Sequence, residues 1–97
     1  MSVSVQAFNY TNLAANATTL IRTGPGILHN VNINTKGASA NVIAVYDGIN
    51  ASGTLIATID STVTYGPLNF DVTFSTGLTI VIGTGTAADI TVSWAPL

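Results

Sequence analysis

Between residues 68 and 75 the chain reads Leu-Asn-Phe-Asp-Val-Thr-Phe-Ser, with every even position large and apolar and every odd one polar. A period of two sends successive side chains to opposite faces of an extended strand, so this segment has a core face and a water face. The same alternation runs through Asp89-Ile90-Thr91-Val92-Ser93-Trp94 and through Val31-Asn32-Ile33-Asn34. Helix is a poor competitor. Glu is absent, Gln, Lys, Arg and Met occur once each, and Val, Ile and Thr supply 34 of the 97 residues. β-Branched side chains fit a pleated surface and lose rotamer freedom in a helix, so strands are favoured throughout.

The segments 42–46, 55–59 and 78–82 are largely apolar on both faces, which suggests central strands or a strand face covered by another subunit. Glycine or proline punctuates the chain at short intervals: Thr23-Gly24-Pro25-Gly26, Thr35-Lys36-Gly37-Ala38-Ser39, Asp47-Gly48, Ser52-Gly53, Tyr65-Gly66-Pro67, Ser75-Thr76-Gly77 and Gly83-Thr84-Gly85. These residues supply the unusual or fixed φ that a chain reversal needs. Between them lie about eight strands, near 2–8, 17–23, 26–35, 41–47, 54–60, 67–75, 77–83 and 87–95. Residues 11–17 read equally as a long loop or a short helical turn. Many short strands at this spacing predict an all-β protein, a single jelly-roll-like antiparallel β-sandwich occupying residues 1–97 as one domain. An immunoglobulin-like strand order satisfies the same alternation, and the order stays open at this point.

Charge narrows the function. Only 6% of residues are charged, against roughly 25% in ordinary soluble domains. Thr, Asn, Ser and Gly together make up 40 of the 97 residues, so hydroxyls and amides wet the surface instead of ions. Two cations cannot neutralise a run of phosphates, which argues against nucleic-acid binding and against a polybasic membrane contact. Residues 1–6 show no basic segment followed by a long apolar stretch, and no apolar run approaches a membrane span. Without cysteine there is no disulfide framework and no thiolate metal site. A net charge of -2 gives little colloidal repulsion, which suits a protein packed against copies of itself or against a partner.

Few residues offer chemistry. His29, the one histidine, is a candidate base or ligand, but it shares strand parity with Ile27, Val31 and Ile33 and reads first as a partly buried, hydrogen-bonded or interface side chain. Catalysis needs a base and an orienting carboxylate within reach, and spacing places none of Asp47, Asp60, Asp71 or Asp89 beside it. Asp47-Gly48-Ile49-Asn50 has oxygen ligands for a hard cation, yet it lacks the alternating acids and closing glutamate of a calcium loop and reads as a tight-turn device. Gly83-Thr84-Gly85-Thr86 is glycine-rich without a helix to follow, so it has no means of cradling phosphate. No enzyme activity, metal or cofactor is expected. Tyr10, Tyr46, Tyr65 and Trp94 are able to stack on sugars, and Tyr10, Tyr65 and Trp94, with His29, are the candidate interaction residues. Tyr46 and Trp94 share parity with apolar neighbours and read first as core or interface, whereas Tyr65, beside Gly66-Pro67, is the aromatic expected to be most exposed.

From Val45-Tyr46-Asp47-Gly48 onward a family likeness accumulates: Ala51-Ser52-Gly53-Thr54 leading into Leu55–Ile59, the Phe70–Phe74 strand, Ser75-Thr76-Gly77-Leu78, Gly83–Asp89, and the closing Ile90-Thr91-Val92-Ser93-Trp94. Over roughly residues 26–95 the chain resembles small β-sandwich or jelly-roll virion proteins of tailed phages, most of all capsid decoration (cement) proteins. The resemblance implies a homo-oligomer, commonly a trimer, bound to the major capsid protein on the outside of the shell and assembled in the host cytoplasm. It carries no catalytic residues. The rival expectation is a carbohydrate-binding spike or fibre-tip module for host attachment that uses Tyr65, Tyr10 or Trp94, and a minor tail or connector component is a third.

Overall fold

The computed structural model describes residues 7–97. Eight strands follow one another: β1 (Asn9–Leu13), β2 (Ala17–Thr23), β3 (Gly26–Thr35), β4 (Val42–Asp47), β5 (Thr54–Asp60), β6 (Gly66–Phe74), β7 (Gly77–Gly83) and β8 (Asp89–Pro96). They form two antiparallel four-stranded sheets, ordered β1-β8-β3-β6 and β2-β7-β4-β5. Among the described strands only β4 and β5 make a hairpin within one sheet; every other connection crosses between sheets, and the first described strand pairs with the last. That is the double Greek key of a jelly roll, and it resolves the strand order in favour of that alternative.

Most boundaries agree with the turn signals. The expected first strand, near 2–8, falls largely outside the described residues. The stretch 11–17 corrects the expectation of a loop or helical turn, because its first three residues complete β1 and its last begins β2. β1 is an edge strand that turns little more than Thr11 and Leu13 inward, so it carries almost no apolar signal. Of the three segments apolar on both faces, β4 and β7 are central, whereas β5 is an edge.

The core lies between the sheets. Ile43 and Val45 of β4 and Leu78, Ile80 and Ile82 of β7 meet Leu28, Val31 and Ile33 of β3, Ile90 and Val92 of β8, and Phe74 of β6. Each such side chain contributes about 1.5–3 kcal/mol by leaving water. Gly26 is fixed by this packing, since a Cβ there would meet the Phe74 ring and lie 2.6 Å from Ala95 O.

β3 departs from simple alternation at one point. Its pairing with both neighbours shifts between Leu28 and Asn30, so Leu28, on one parity, and Val31 and Ile33, on the other, all reach the core. His29 is the bulged residue and does not share the core face of Val31 and Ile33, which corrects the expected parity.

Candidate interaction surfaces

Alternating crossovers gather the β1–β2, β3–β4, β5–β6 and β7–β8 connections at one end of the sandwich, and a single buried amide joins them. Asn41 Nδ2 donates to Asn16 Oδ1 at 3.0 Å, to Gly83 O at 3.1 Å and to Thr84 O at 2.8 Å. Its Oδ1 accepts from Ala88 N at 3.1 Å and lies 2.6 Å from Ser61 Oγ. Asn16 also donates to Gly85 O, and the backbones of Ala38 and Thr86 exchange hydrogen bonds. Ser39, Ala40 and Thr84 hold positive φ values of 56°, 62° and 70°. Such angles strain side chains with a Cβ, and a β-branched residue most of all, so tertiary contacts hold these turns in place.

The opposite end is tied by a carboxylate. Asp47, the last residue of β4, accepts from Ser75 N at 2.9 Å, Thr76 N at 2.9 Å and Ser75 Oγ at 3.2 Å. Those N–H donors, Ser75 first and Thr76 next, hold the Asp47 carboxyl below its ordinary range. Gly48 N donates to Gly77 O and Gly24 N to Thr76 O, which joins three connections. The calcium alternative for Asp47 to Asn50 therefore loses its ligands to the chain itself, as Asn50 Oδ1 also accepts from Ser52 N at 2.8 Å. The expected turn device is an inter-loop clamp, and it serves a turn other than its own.

His29 sits on the outer side of the β3 bulge. Its ring stacks on Phe8 with centroids 4.2 Å apart and planes 6° from parallel. Nδ1 is 2.5 Å from Asp71 Oδ1; a carboxylate only accepts, so the imidazole N–H donates. Asp71 has φ 50°, a bulge conformation of β6. Sequence spacing gave no route to this pairing, because it depends on register shifts on both sides of β3.

The aromatic candidates separate. Tyr10 and Tyr65 are 75% and 66% exposed. Lys36 Nζ lies 5.8 Å from the Tyr65 ring centroid. Trp94 packs half-buried against the core in register with Leu28, and its Nε1 is buried with no hydrogen-bond partner among the described residues. Its ring is not an open platform.

The two outer faces differ in chemistry. Across β1-β8-β3-β6 one row runs Tyr10, Ser93, Asn30, Asn69 and the next Asn12, Thr91, Asn32, Pro67. Asn12 and Asn34 donate to Asp89 Oδ1 at 2.7 and 3.1 Å, and Asn34 donates to Thr91 Oγ1 at 2.9 Å. The Asn34 amide, then that of Asn12, lowers the Asp89 carboxyl from its ordinary range. Across β2-β7-β4-β5 the corresponding rows are Leu20, Thr79, Tyr46, Leu55 and Thr18, Val81, Ala44, Thr58. Neither of these rows contains an ionisable acid or base except the Tyr46 phenol.

No pocket and no group of three metal-ligating side chains is present among the described residues. Comparison with known protein families and with curated proteins finds no match. Among solved structures, the core of a Drosophila nucleoplasmin-like protein (NLP core) aligns with a TM-score of 0.56 over 94% of this chain and 96% of that one, at 17% sequence identity. That structure is described in terms of pentamer formation and histone binding. At this identity the likeness concerns the β-sandwich fold.

Proposed function

We propose that this chain is a structural virion protein: a jelly-roll building block that assembles as a homo-oligomer, of trimer type, and decorates and stabilises a phage capsid by binding its major capsid protein. One observation carries the reading. All four aspartates and the histidine are engaged in hydrogen bonds within the chain: Asp47 at one loop end, Asp60 in the β5–β6 turn, Asp89 on the amide-rich face, and Asp71 with His29 at the β3 bulge. The carboxylates and the imidazole are tied to neighbouring residues, and apart from Arg22 and Lys36 the remaining described surface consists of amides, hydroxyls and apolar side chains. Such a surface binds protein by shape and by many weak contacts that salt does not screen, which is what a shell under internal pressure requires of a cement. No catalytic step, metal or cofactor enters this role.

Pentamer formation by the Drosophila core supports the view that a sandwich of this size can build a homo-oligomer. Histone binding is not carried over. A basic partner needs a dense acidic patch, and a net charge of -2 from already engaged aspartates does not provide one.

The test is co-sedimentation of the purified chain with empty heads built from the cognate major capsid protein, at low and at high salt. Saturable binding at both salts, with heads more resistant to heat, is expected. Absence of binding overturns the reading, as does glycan-array binding abolished by Tyr65→Ala, which would favour a host-attachment module.

A further inference from the structure

We propose that the free edge of β1 takes up residues 2–6 of a second copy of this chain as an added strand, so that copies assemble by exchanging their leading segments. The proposal rests on the homo-oligomer in the proposed function and names the contact that builds it.

Each sheet has two edges, and an open edge is a row of unpaired N–H and C=O groups with which an extended chain can pair. Three of the four edges are blunted. β2 carries a bulge between Leu20 and Arg22, and Arg22 is charged. β5 carries a bulge at Ile56, opposite the step from Val45 to Tyr46, and ends in Asp60. β6 contains Pro67, shifts register opposite the β3 bulge and holds Asp71 at φ 50°. β1 has none of these devices. Asn9 to Leu13 pair residue for residue with Trp94 to Ile90 of β8, without proline, glycine, bulge or charge. Among the described residues no strand pairs with the other side of β1. Bulges, prolines and charges are how sheet edges refuse a further strand, so the edge that lacks them is the one open to strand addition.

The segment ahead of β1 has the chemistry of the missing neighbour. Ser2-Val3-Ser4-Val5-Gln6 is uncharged and alternates polar with apolar, and five residues at about 3.3 Å each match the five of β1. Outward positions on this sheet are amides and hydroxyls, in the rows Tyr10, Ser93, Asn30, Asn69 and Asn12, Thr91, Asn32. An added strand with Ser2, Ser4 and Gln6 outward continues those rows. Val3 and Val5 then fall inward beside Thr11 and Leu13, which β8 alone leaves only half-buried. Neither β1 nor this segment carries a charge, and the Asp89 carboxylate accepts from Asn12 and Asn34, so two copies meet along this contact without like-charge repulsion.

The donor is a second copy because the same chain is poorly built to turn back. A return onto the β1 edge would leave Ala7-Phe8 as a two-residue hairpin loop, a place for glycine, asparagine or aspartate at positive φ. The Phe8 ring is moreover stacked on His29 of β3, which lies beyond β8 and away from the free edge. A contact in which each copy lends one strand and receives another is heterologous, and such contacts close into rings, a trimer among them.

The experiment compares the full chain, a chain lacking residues 2–6, Val3→Asp and Val5→Asp. Light scattering across a dilution series gives mass, NMR hydrogen exchange reads the β1 amides, and thermal unfolding checks folding. A synthetic peptide of residues 1–8 is then added to the truncated chain. The expected result is an oligomeric parent and self-association weakened about tenfold or more in the three altered chains, which stay folded. Exchange in β1 should be faster in them while β3 is unchanged, and the peptide should slow it again without restoring the mass. A folded truncated chain that associates like the parent overturns the exchange and leaves the homo-oligomer standing. A parent that is monomeric at every concentration overturns both. Altered chains that keep their oligomeric mass but lose binding to empty heads would give this segment to the capsid protein and likewise overturn the proposal.

Discussion

Ser61 Oγ lies 2.6 Å from the side-chain oxygen of Asn41 and 3.0 Å from its main-chain oxygen, and both residues are fully buried. Through this pair the β5–β6 turn is held to the β3–β4 connection, whose Asn41 amide also binds the β1–β2 and β7–β8 connections. Replacing Asn41 with Ala leaves Gly83 O, Thr84 O and Ala88 N without that partner. Each orphaned buried group costs about 1–3 kcal/mol, part of which water entry would restore, so a loss of about 2–4 kcal/mol is expected in urea unfolding. Asn41→Asp should be worse above the carboxylate range, because a buried charge would face the two carbonyls.

Asp47 at the other end makes a milder prediction. Asp47→Ala should cost about 1–2 kcal/mol, the range for a carboxylate accepting backbone N–H donors at a partly exposed site. Hydrogen exchange at the Ser75 and Thr76 amides, measured by NMR, should accelerate while exchange in β4 and β7 is unchanged.

The pH dependence follows from three aspartates. Hydrogen bonds from the Ser75 amide to Asp47, from the Thr62 hydroxyl to Asp60 and from the Asn34 amide to Asp89 lower each folded-state pKa beneath the ordinary 3.8. A depressed folded value means that the unfolded chain binds protons first as pH falls. The associated stability is therefore fully present above 3.8 and is lost as pH drops through the folded values. Thermal midpoints should be flat from about pH 5 to 9 and decline in acid. Exposure of these groups keeps the decline shallow.

Phe70 and Phe74 occupy equivalent positions in the sequence alternation but not in the sandwich. Phe74 is fully buried beneath Gly26, whereas Phe70 is half-buried on the edge strand β6. Phe74→Ala should cost about 3–5 kcal/mol and Phe70→Ala clearly less, by the same denaturant measurement.

Thr84 offers a stabilising substitution. Its φ of 70° strains a β-branched residue, and it is exposed. Thr84→Gly should raise stability by about 0.5–1 kcal/mol, because relief of backbone strain exceeds the added freedom of the unfolded chain. Scanning calorimetry would register this as a rise of a few degrees in Tm.

The fold was legible where alternation was strict. Positions 90, 92 and 94, and 68, 70 and 74, announce their inward faces because the period of two is set by backbone geometry, whereas Val72, past the Asp71 bulge on the edge strand β6, stays 38% exposed. β1 was not legible, since an edge strand buries too little to require an apolar pattern. His29 was misplaced for a related reason: a bulge resets parity in the middle of β3, and the residues alone do not show where pairing shifts. Tyr65 could be read as exposed from its turn, and Trp94 as inward from its parity. Asn41 carries no local signal, being one asparagine before a strand, and its importance comes from four connections converging in space.

An ion-poor sandwich of short strands with little material for acid/base chemistry was readable from the residues alone, because residue type and spacing along an extended backbone fix which faces can be buried. The pairing of distant strands is what makes the order a jelly roll, engages the aspartates and the histidine in internal hydrogen bonds, and sets Leu20 and Leu55 at the two ends of one row. Those facts depend on which distant segments pair and in what register, and that is settled by packing two whole sheets together.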